Sequence, residues 1–198
     1  MRDSIRLVLA VIVTCVIAST GLAATYAMAE PRIREQERLA EERSLKSVLA
    51  EAESFEAITD PDVLDAATAA AADGTNAPVL SGIYVATSGG APAGWGLKIA
   101  SRGYGGPMSL VIGLDRDGTV TGVSILRHNE TPGLGTKVIT DTWFMEQFPT
   151  LPPAFDDADV RTLDVIAGTT KSSNGVRNGV AAAGRVFAEV LSEEGGAQ

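Results

Sequence analysis

Met108-Ser109-Leu110-Val111-Ile112-Gly113-Leu114, then Asp115-Arg116-Asp117-Gly118, then Thr119-Val120-Thr121-Gly122-Val123-Ser124-Ile125-Leu126-Arg127. Two runs rich in β-branched and aliphatic residues flank four residues of turn chemistry, so the stretch predicts two strands joined by a hairpin loop. Upstream, Leu80–Thr87 and Gly96–Ser101 read as two more strands, set apart by Ser88-Gly89-Gly90 and Gly103-Tyr104-Gly105-Gly106. Short connections between successive strands favour antiparallel pairing. Downstream the period changes. Thr136 to about Phe148 reads as a helix with Val138, Ile139, Trp143 and Phe144 on its apolar side, and Leu151-Pro152-Pro153 ends it. Thr162–Ile166 reads as a short apolar strand. Ser173–Leu191 is the strongest helix, with Val176, Val180, Ala183, Phe187 and Val190 on one face and Ser172 or Ser173 as a cap. The body is therefore expected to be α+β, an antiparallel sheet with helices packed on it.

Ahead of the sheet, Asp60-Pro61 starts a short helix, Asp as cap and Pro in the first turn. Its Ala-rich run is expected to stop at Asp73-Gly74, with a turn over Asn76–Pro78. Pro31 to about Glu56 is charged and helix-prone. Leu45, Val48, Leu49, Ala52 and Phe55 recur at helical steps there, opposite Glu37, Arg38, Glu41, Glu42 and Lys46. This segment reads as a stalk. Before it, Arg2 and Arg6 precede an uncharged run from Leu7 to Ala29. That run is about 23 residues, against the ~20 that span a bilayer core. The arginines favour a cytoplasmic N-terminus, which places the body on the other side. A signal peptide cleaved after Ala27-Met28-Ala29 is the competing reading, but its apolar core is ordinarily shorter. The expected divisions are an anchor over 1–29, a helical stalk and connector over 30–78, and a functional domain over 79–198.

Composition excludes several classes. The net charge of −9 and the 5% aromatic content argue against a nucleic-acid footprint. The single cysteine, Cys15, lies in the apolar run, so neither a disulfide nor a Cys-ligated zinc or iron–sulfur site can be built. No metal site is expected.

Two segments carry candidate chemistry. His128-Asn129-Glu130-Thr131-Pro132-Gly133-Leu134-Gly135 links a strand to a helix, with Pro132 and Gly133 in a tight turn and Gly135 allowing close backbone approach. His128 is the only histidine, so no zinc pair or nucleophile–base pair can include a second one. Asp164-Val165-Ile166-Ala167-Gly168-Thr169-Thr170-Lys171-Ser172-Ser173 leads into the last helix. Hydroxyls, a lysine and free N–H groups at a helix start suit a phosphate. The spacing is not that of a Walker loop. On local chemistry alone, a capped helix with a polar first turn is the more ordinary account.

Together, in this order and behind one membrane helix, the two segments resemble the G subunit of the Rnf electron-transport complex. They also resemble its relative, the C subunit of the sodium-translocating NADH:quinone reductase. The chain's length favours the Rnf relative. The family loop reads His-x-Glu-Thr-Pro-Gly-Leu-Gly, matched from His128 to Gly135. The family attachment motif reads Asp-x-x-Ser/Thr-Gly-Ala-Thr, matched at Asp164, Gly168 and Thr170, with Ala167 and Thr169 departing from it. The resemblance implies an FMN-binding domain with FMN joined covalently to Thr170, attached by a separate flavin transferase from flavin adenine dinucleotide. On that reading we expect Glu130, Thr131, Leu134 and Gly135 to border the flavin, Gly168 and Thr169 to lie beside it, and Lys137 and Lys171 to balance flavin or phosphate charge. Tyr104 is a further candidate against the ring. The chain would be an electron relay among membrane subunits rather than a stand-alone catalyst. It would sit in the cytoplasmic membrane as a single-pass protein with its domain on the extracytoplasmic side. A membrane-anchored FMN-binding sensor or regulatory domain is the alternative.

Overall fold

The computed structural model describes residues 2–72 and 77–192. It divides into two units, Met1–Glu41 and Glu42–Gln198. Helix α1 runs Arg2–Val48. Within the first unit its large apolar side chains, from Ile5 to Ile17 and again at Leu22, Tyr26 and Met28, are exposed. A helix that is apolar all round needs an apolar surrounding. The hydroxyls of Thr14, Thr20 and Thr25 donate to carbonyls four residues back, at 2.8, 2.8 and 2.9 Å, so none of the three requires water. Charged pairs follow, Arg34 with Glu30 at 2.6 Å and Arg38 with Glu35 at 3.0 Å. Among the described residues, α1 is the one helix long and apolar enough to cross a membrane.

The second unit is built on five antiparallel strands in sequential order: β1 Ser54–Ala57, β2 Val79–Ser88, β3 Ala91–Arg102, β4 Pro107–Asp115 and β5 Val120–Arg127. Four of the five strands expected from sequence are present, as β2 to β5. β2 and β3 turn through Gly89 and Gly90, whose φ values of 58° and 80° suit the right-handed twist of a hairpin. The β4–β5 loop is held by Asp115, whose Oδ1 accepts from the N–H groups of Asp117 and Thr119 at 2.9 and 2.8 Å. β1 is new. The spacing from Leu45 to Phe55 is that of one helix, but α1 ends at Val48 and Phe55 lies in a strand paired with Ala86. One apolar residue at the end of a stripe fits a helix and a short strand alike.

Strand β4, between β3 and the edge strand β5, is covered on both sides. Leu110, Ile112 and Leu114 face a core shared with Ile83, Leu97 and Ile99 and with Val176, Val180 and Val186 of helix α6, Thr170–Val186. Val111 faces a second core with Leu45, Val48, Leu49, Ala52 and Ala86. A continuous apolar run is what a doubly buried strand requires. On the second side, Gly96, Gly113 and Gly122 are cross-strand neighbours in β3, β4 and β5. A Cβ on Gly96 would collide with Leu45 Cδ2, one on Gly113 would lie 2.7 Å from the Val48 carbonyl oxygen, and one on Gly122 would lie 3.3 Å from Val48 Cα. The three glycines form the flat patch on which the end of α1 rests. Thr121 Oγ1 donates to the Val48 carbonyl at 2.5 Å, answering one of the carbonyls a helix end leaves open.

On the first side, α6 lies close to the sheet through Gly175 and Gly179. Ser101 Oγ donates to the Gly175 carbonyl at 2.6 Å. Helix α2, Pro61–Ala71, begins at Asp60 as expected, its carboxylate accepting from Asp62 N–H at 3.0 Å. Its C-cap is Ala72; the Asp73-Gly74 stop and the first residue of the Asn76–Pro78 turn lie outside the described residues. The helix expected over Thr136–Phe148 is instead α3 Lys137–Thr140, α4 Thr142–Glu146 and a 3-10 turn Phe148–Thr150. Asp141, with ψ at 91°, breaks it. The strand expected over Thr162–Ile166 is absent. Asp156 and Asp159 form a capping box that starts helix α5, Asp157–Thr162, and the chain after it is irregular. Substituting Gly113→Ala should lower stability by about 1–3 kcal/mol, because the new methyl meets backbone that cannot step aside. Thermal melts of the detergent-solubilised protein, compared with Ser124→Ala, would check this.

Candidate functional site

Three segments far apart in sequence meet at the head of α6. The Gly103–Gly106 loop follows β3, the His128–Gly135 loop follows β5, and the Asp164–Thr169 segment leads into the helix. Glu130 is their common centre. It is only 5% exposed. One carboxylate oxygen, Oε1, accepts from Gly105 N–H at 3.2 Å, and Oε2 accepts from the Ser172 hydroxyl at 2.7 Å. Ser172 Oγ also accepts from Tyr104 N–H at 3.4 Å. A Cβ on Gly103 would collide with Oε1, and one on Gly135 with Oε2. Both glycines are thus required by the space the carboxylate occupies. The Glu130 N–H turns back to His128 Nδ1 at 3.3 Å, which gives the histidine a local structural contact on an exposed loop.

The second link joins the two motifs directly. Thr169 is 4% exposed, and its Oγ1 donates to the Leu134 carbonyl at 2.8 Å. Its carbonyl accepts from Ser173 Oγ at 3.1 Å, and Ser173 Oγ accepts from Ile166 N–H at 3.2 Å. Ser172 and Ser173 are therefore buried inside the first turn and do not cap it; Thr169 holds the N-cap position without a side-chain cap. Asp164 is exposed, and its backbone is held from both sides by the Gln147 amide, at 2.8 and 3.0 Å.

Thr170 is the first residue of α6 and is exposed, and no hydrogen bond engages its hydroxyl among the described residues. The first intrahelical bond nearby runs from Ser173 N–H to the Thr169 carbonyl. The N–H groups of Thr170, Lys171 and Ser172 therefore precede the ladder and present the positive end of the helix dipole. Gly168 lies just before them at φ 79° with open space where a side chain would stand. Lys171 is exposed, its Nζ 5.7 Å from the centre of the Tyr104 ring. Leu134 is 45% exposed, and Thr131 is exposed beside it. Lys137 opens α3 and is half-buried. Gly135 is buried under Glu130.

This arrangement suits a phosphate at Thr170, where a hydroxyl, open N–H groups and a lysine stand together on an accessible surface. Sequence reasoning missed Ser172 as the partner of Glu130. The two are 42 positions apart, and only a buried carboxylate's need for donors could have pointed to such a residue.

Residues 103–184 match the model of the FMN-binding domain. The chain is 30% identical over 171 residues to the G subunit of the Na(+)-translocating ferredoxin:NAD(+) oxidoreductase complex of Acetobacterium woodii, covering 85% of this chain and 77% of that one. It is 29% identical over 179 residues to the G subunit of the ion-translocating oxidoreductase complex of Methanosarcina acetivorans, covering 88% and 89%. With the corresponding protein of Vibrio cholerae it is 38% identical over 124 residues, covering 61% and 56%. Fold and site thus define an FMN-binding protein anchored to a membrane by its first helix. The chain belongs to the family of G subunits of ion-translocating, Rnf-type oxidoreductase complexes.

Replacing Ser172 by Ala removes one of the two donors to a buried carboxylate. It should destabilise the domain by about 1–3 kcal/mol, read as a lower urea midpoint at unchanged slope.

Proposed function

We propose that this protein carries FMN as a phosphoester on Thr170 and relays electrons within an ion-translocating ferredoxin:NAD oxidoreductase complex. One observation carries the choice of residue. Of the two adjacent hydroxyls, that of Thr169 is buried and donates to Leu134, while that of Thr170 is exposed at the open end of α6. Thr169 departs from the family motif, and its hydroxyl has the structural task of tying the attachment segment to the His128–Gly135 loop. Attachment forms the bond from Thr170 Oγ1 to phosphorus. The pyrophosphate of flavin adenine dinucleotide breaks and releases AMP, and the hydroxyl proton is lost. A flavin transferase supplies this step and reads the Asp164–Thr170 segment, whose backbone Gln147 holds in place.

FMN, when bound, exchanges electrons singly or in pairs, which suits a relay between unlike carriers. The chain's own residues position it. Lys171 and the first N–H groups of α6 would hold the phosphate. Thr131 and Leu134, exposed on the loop that the buried Glu130 and Gly135 hold in shape, would border the ring, with Gly168 and Thr169 beside it and Lys137 near its edge. Residues 1–29 serve as anchor and residues 79–198 as the cofactor domain, on the extracytoplasmic side as Arg2 and Arg6 direct. There a covalent bond keeps the cofactor from diffusing away. Partners are the other membrane subunits of the complex.

Coexpression with a competent flavin transferase should give a band that fluoresces under ultraviolet light after denaturing electrophoresis. Thr170→Ala should abolish the fluorescence and Thr169→Ala should retain it at reduced yield. Fluorescence that survives Thr170→Ala, or none in the parent protein, would refute the assignment.

A further inference from the structure

A separate cavity lies between α5 and α6. It measures about 250 Å³, and its charged and amide lining is Asp157, Arg161, Asn174, Arg177, Asn178 and Arg185. Neither Thr170 nor Glu130 lines it. Three arginines in one cleft stand out in a chain whose net charge is −9.

The three guanidinium groups differ in what they already hold. Arg185 is committed. It donates to Asp157 Oδ1 at 2.5 Å and to the carbonyls of Ala70 and Ala71 at 3.0 Å each, which joins α6 to the end of α2 and neutralises Asp157. Arg177 is half-buried and donates to two neutral acceptors, the Val160 carbonyl at 3.1 Å and Asn174 Oδ1 at 3.3 Å. Arg161 lines the same cavity and is exposed. Burial, and after it the charge of Arg161, hold the Arg177 pKa below its ordinary value. Among the described residues no carboxylate pairs with Arg161 or Arg177, and the one carboxylate lining the cavity, Asp157, pairs with Arg185.

Two like charges held in one cleft call for an anion. The chemistry of the donors narrows which one. Guanidinium forks match phosphate oxygens in pairs, and a dianion balances two positive charges where a carboxylate balances one. The volume is below the ~300–1,000 Å³ of pockets for drug-sized ligands, so the group is small. We propose that this cavity binds a dianionic phosphate group, as inorganic phosphate or a small phosphate monoester. Arg161 and Arg177 supply the charge, and Asn174 and Asn178 supply amide hydrogen bonds.

The test uses the full chain in detergent on a Thr170→Ala background, so that an FMN phosphate plays no part. Calorimetric titration with inorganic phosphate, and separately with glycerol phosphate, would be run where phosphate is dianionic, against sodium chloride at matched ionic strength. Saturable binding is expected. Arg161→Gln, an exposed change that leaves the packing intact, should weaken it at least about tenfold, roughly 1.4 kcal/mol, and Arg161→Lys should restore most of it. Tighter binding of one probe identifies the source of the phosphate group. Absence of saturable binding, or equal affinity in Arg161→Gln, would overturn the proposal.

Discussion

Glu130 holds a carboxylate almost out of water, and the neighbourhood is organised by that burial. A buried carboxylate must find donors or it costs the fold several kilocalories per mole. The donors here come from two other segments, Gly105 and Ser172. Satisfying one side chain therefore draws the β3–β4 loop, the β5–α3 loop and the start of α6 to a single point. Gly103 and Gly135 lack side chains because the carboxylate fills the space a Cβ would need. The Thr169 bond to Leu134 then fixes the Asp164–Thr169 segment against the same loop. Thr170 gains its exposed, open position as a consequence of where its neighbours are tied down.

The sheet supplies the stiffness behind this arrangement. β4 is covered on one face by α6 and on the other by the end of α1. Both contacts are close because the surfaces are stripped of side chains, at Gly175 and Gly179 on the helix and at Gly96, Gly113 and Gly122 on the strands. The last turn of the long helix is thereby part of the folded domain, seated on the sheet that positions the site.

Much of this was legible in the sequence. Strands β2 to β5 announced themselves by β-branched and aliphatic runs and by Gly-rich or Asp-Gly turns, α2 by its Asp60 cap and α6 by apolar periodicity, whereas the serines expected to cap α6 are buried within its first turn. What failed had local causes. Phe55 fits a helical stripe and a strand equally well, and Asp141 interrupts a helix whose apolar spacing continues across the break. The run Thr162–Ile166 has strand composition but no partner strand among the described residues. For the site, the spacing from Asp164 selected Thr170 only through the family motif. The competing hydroxyl of Thr169 could not be judged, because whether that threonine is buried depends on a carbonyl 35 positions away. Long-range satisfaction of polar groups is the part of a fold that a single sequence states least directly.

Everything proposed for the site turns on whether Thr170 carries the flavin phosphate. Tandem mass spectrometry of the tryptic peptide Thr162–Lys171, from protein matured with a flavin transferase, tests it most directly, since Thr169 and Thr170 lie in that one fragment. The smallest C-terminal fragment containing Thr170 should already carry the flavin phosphate mass. A modification that first appears when Thr169 is included, or a peptide with no modification, would contradict it.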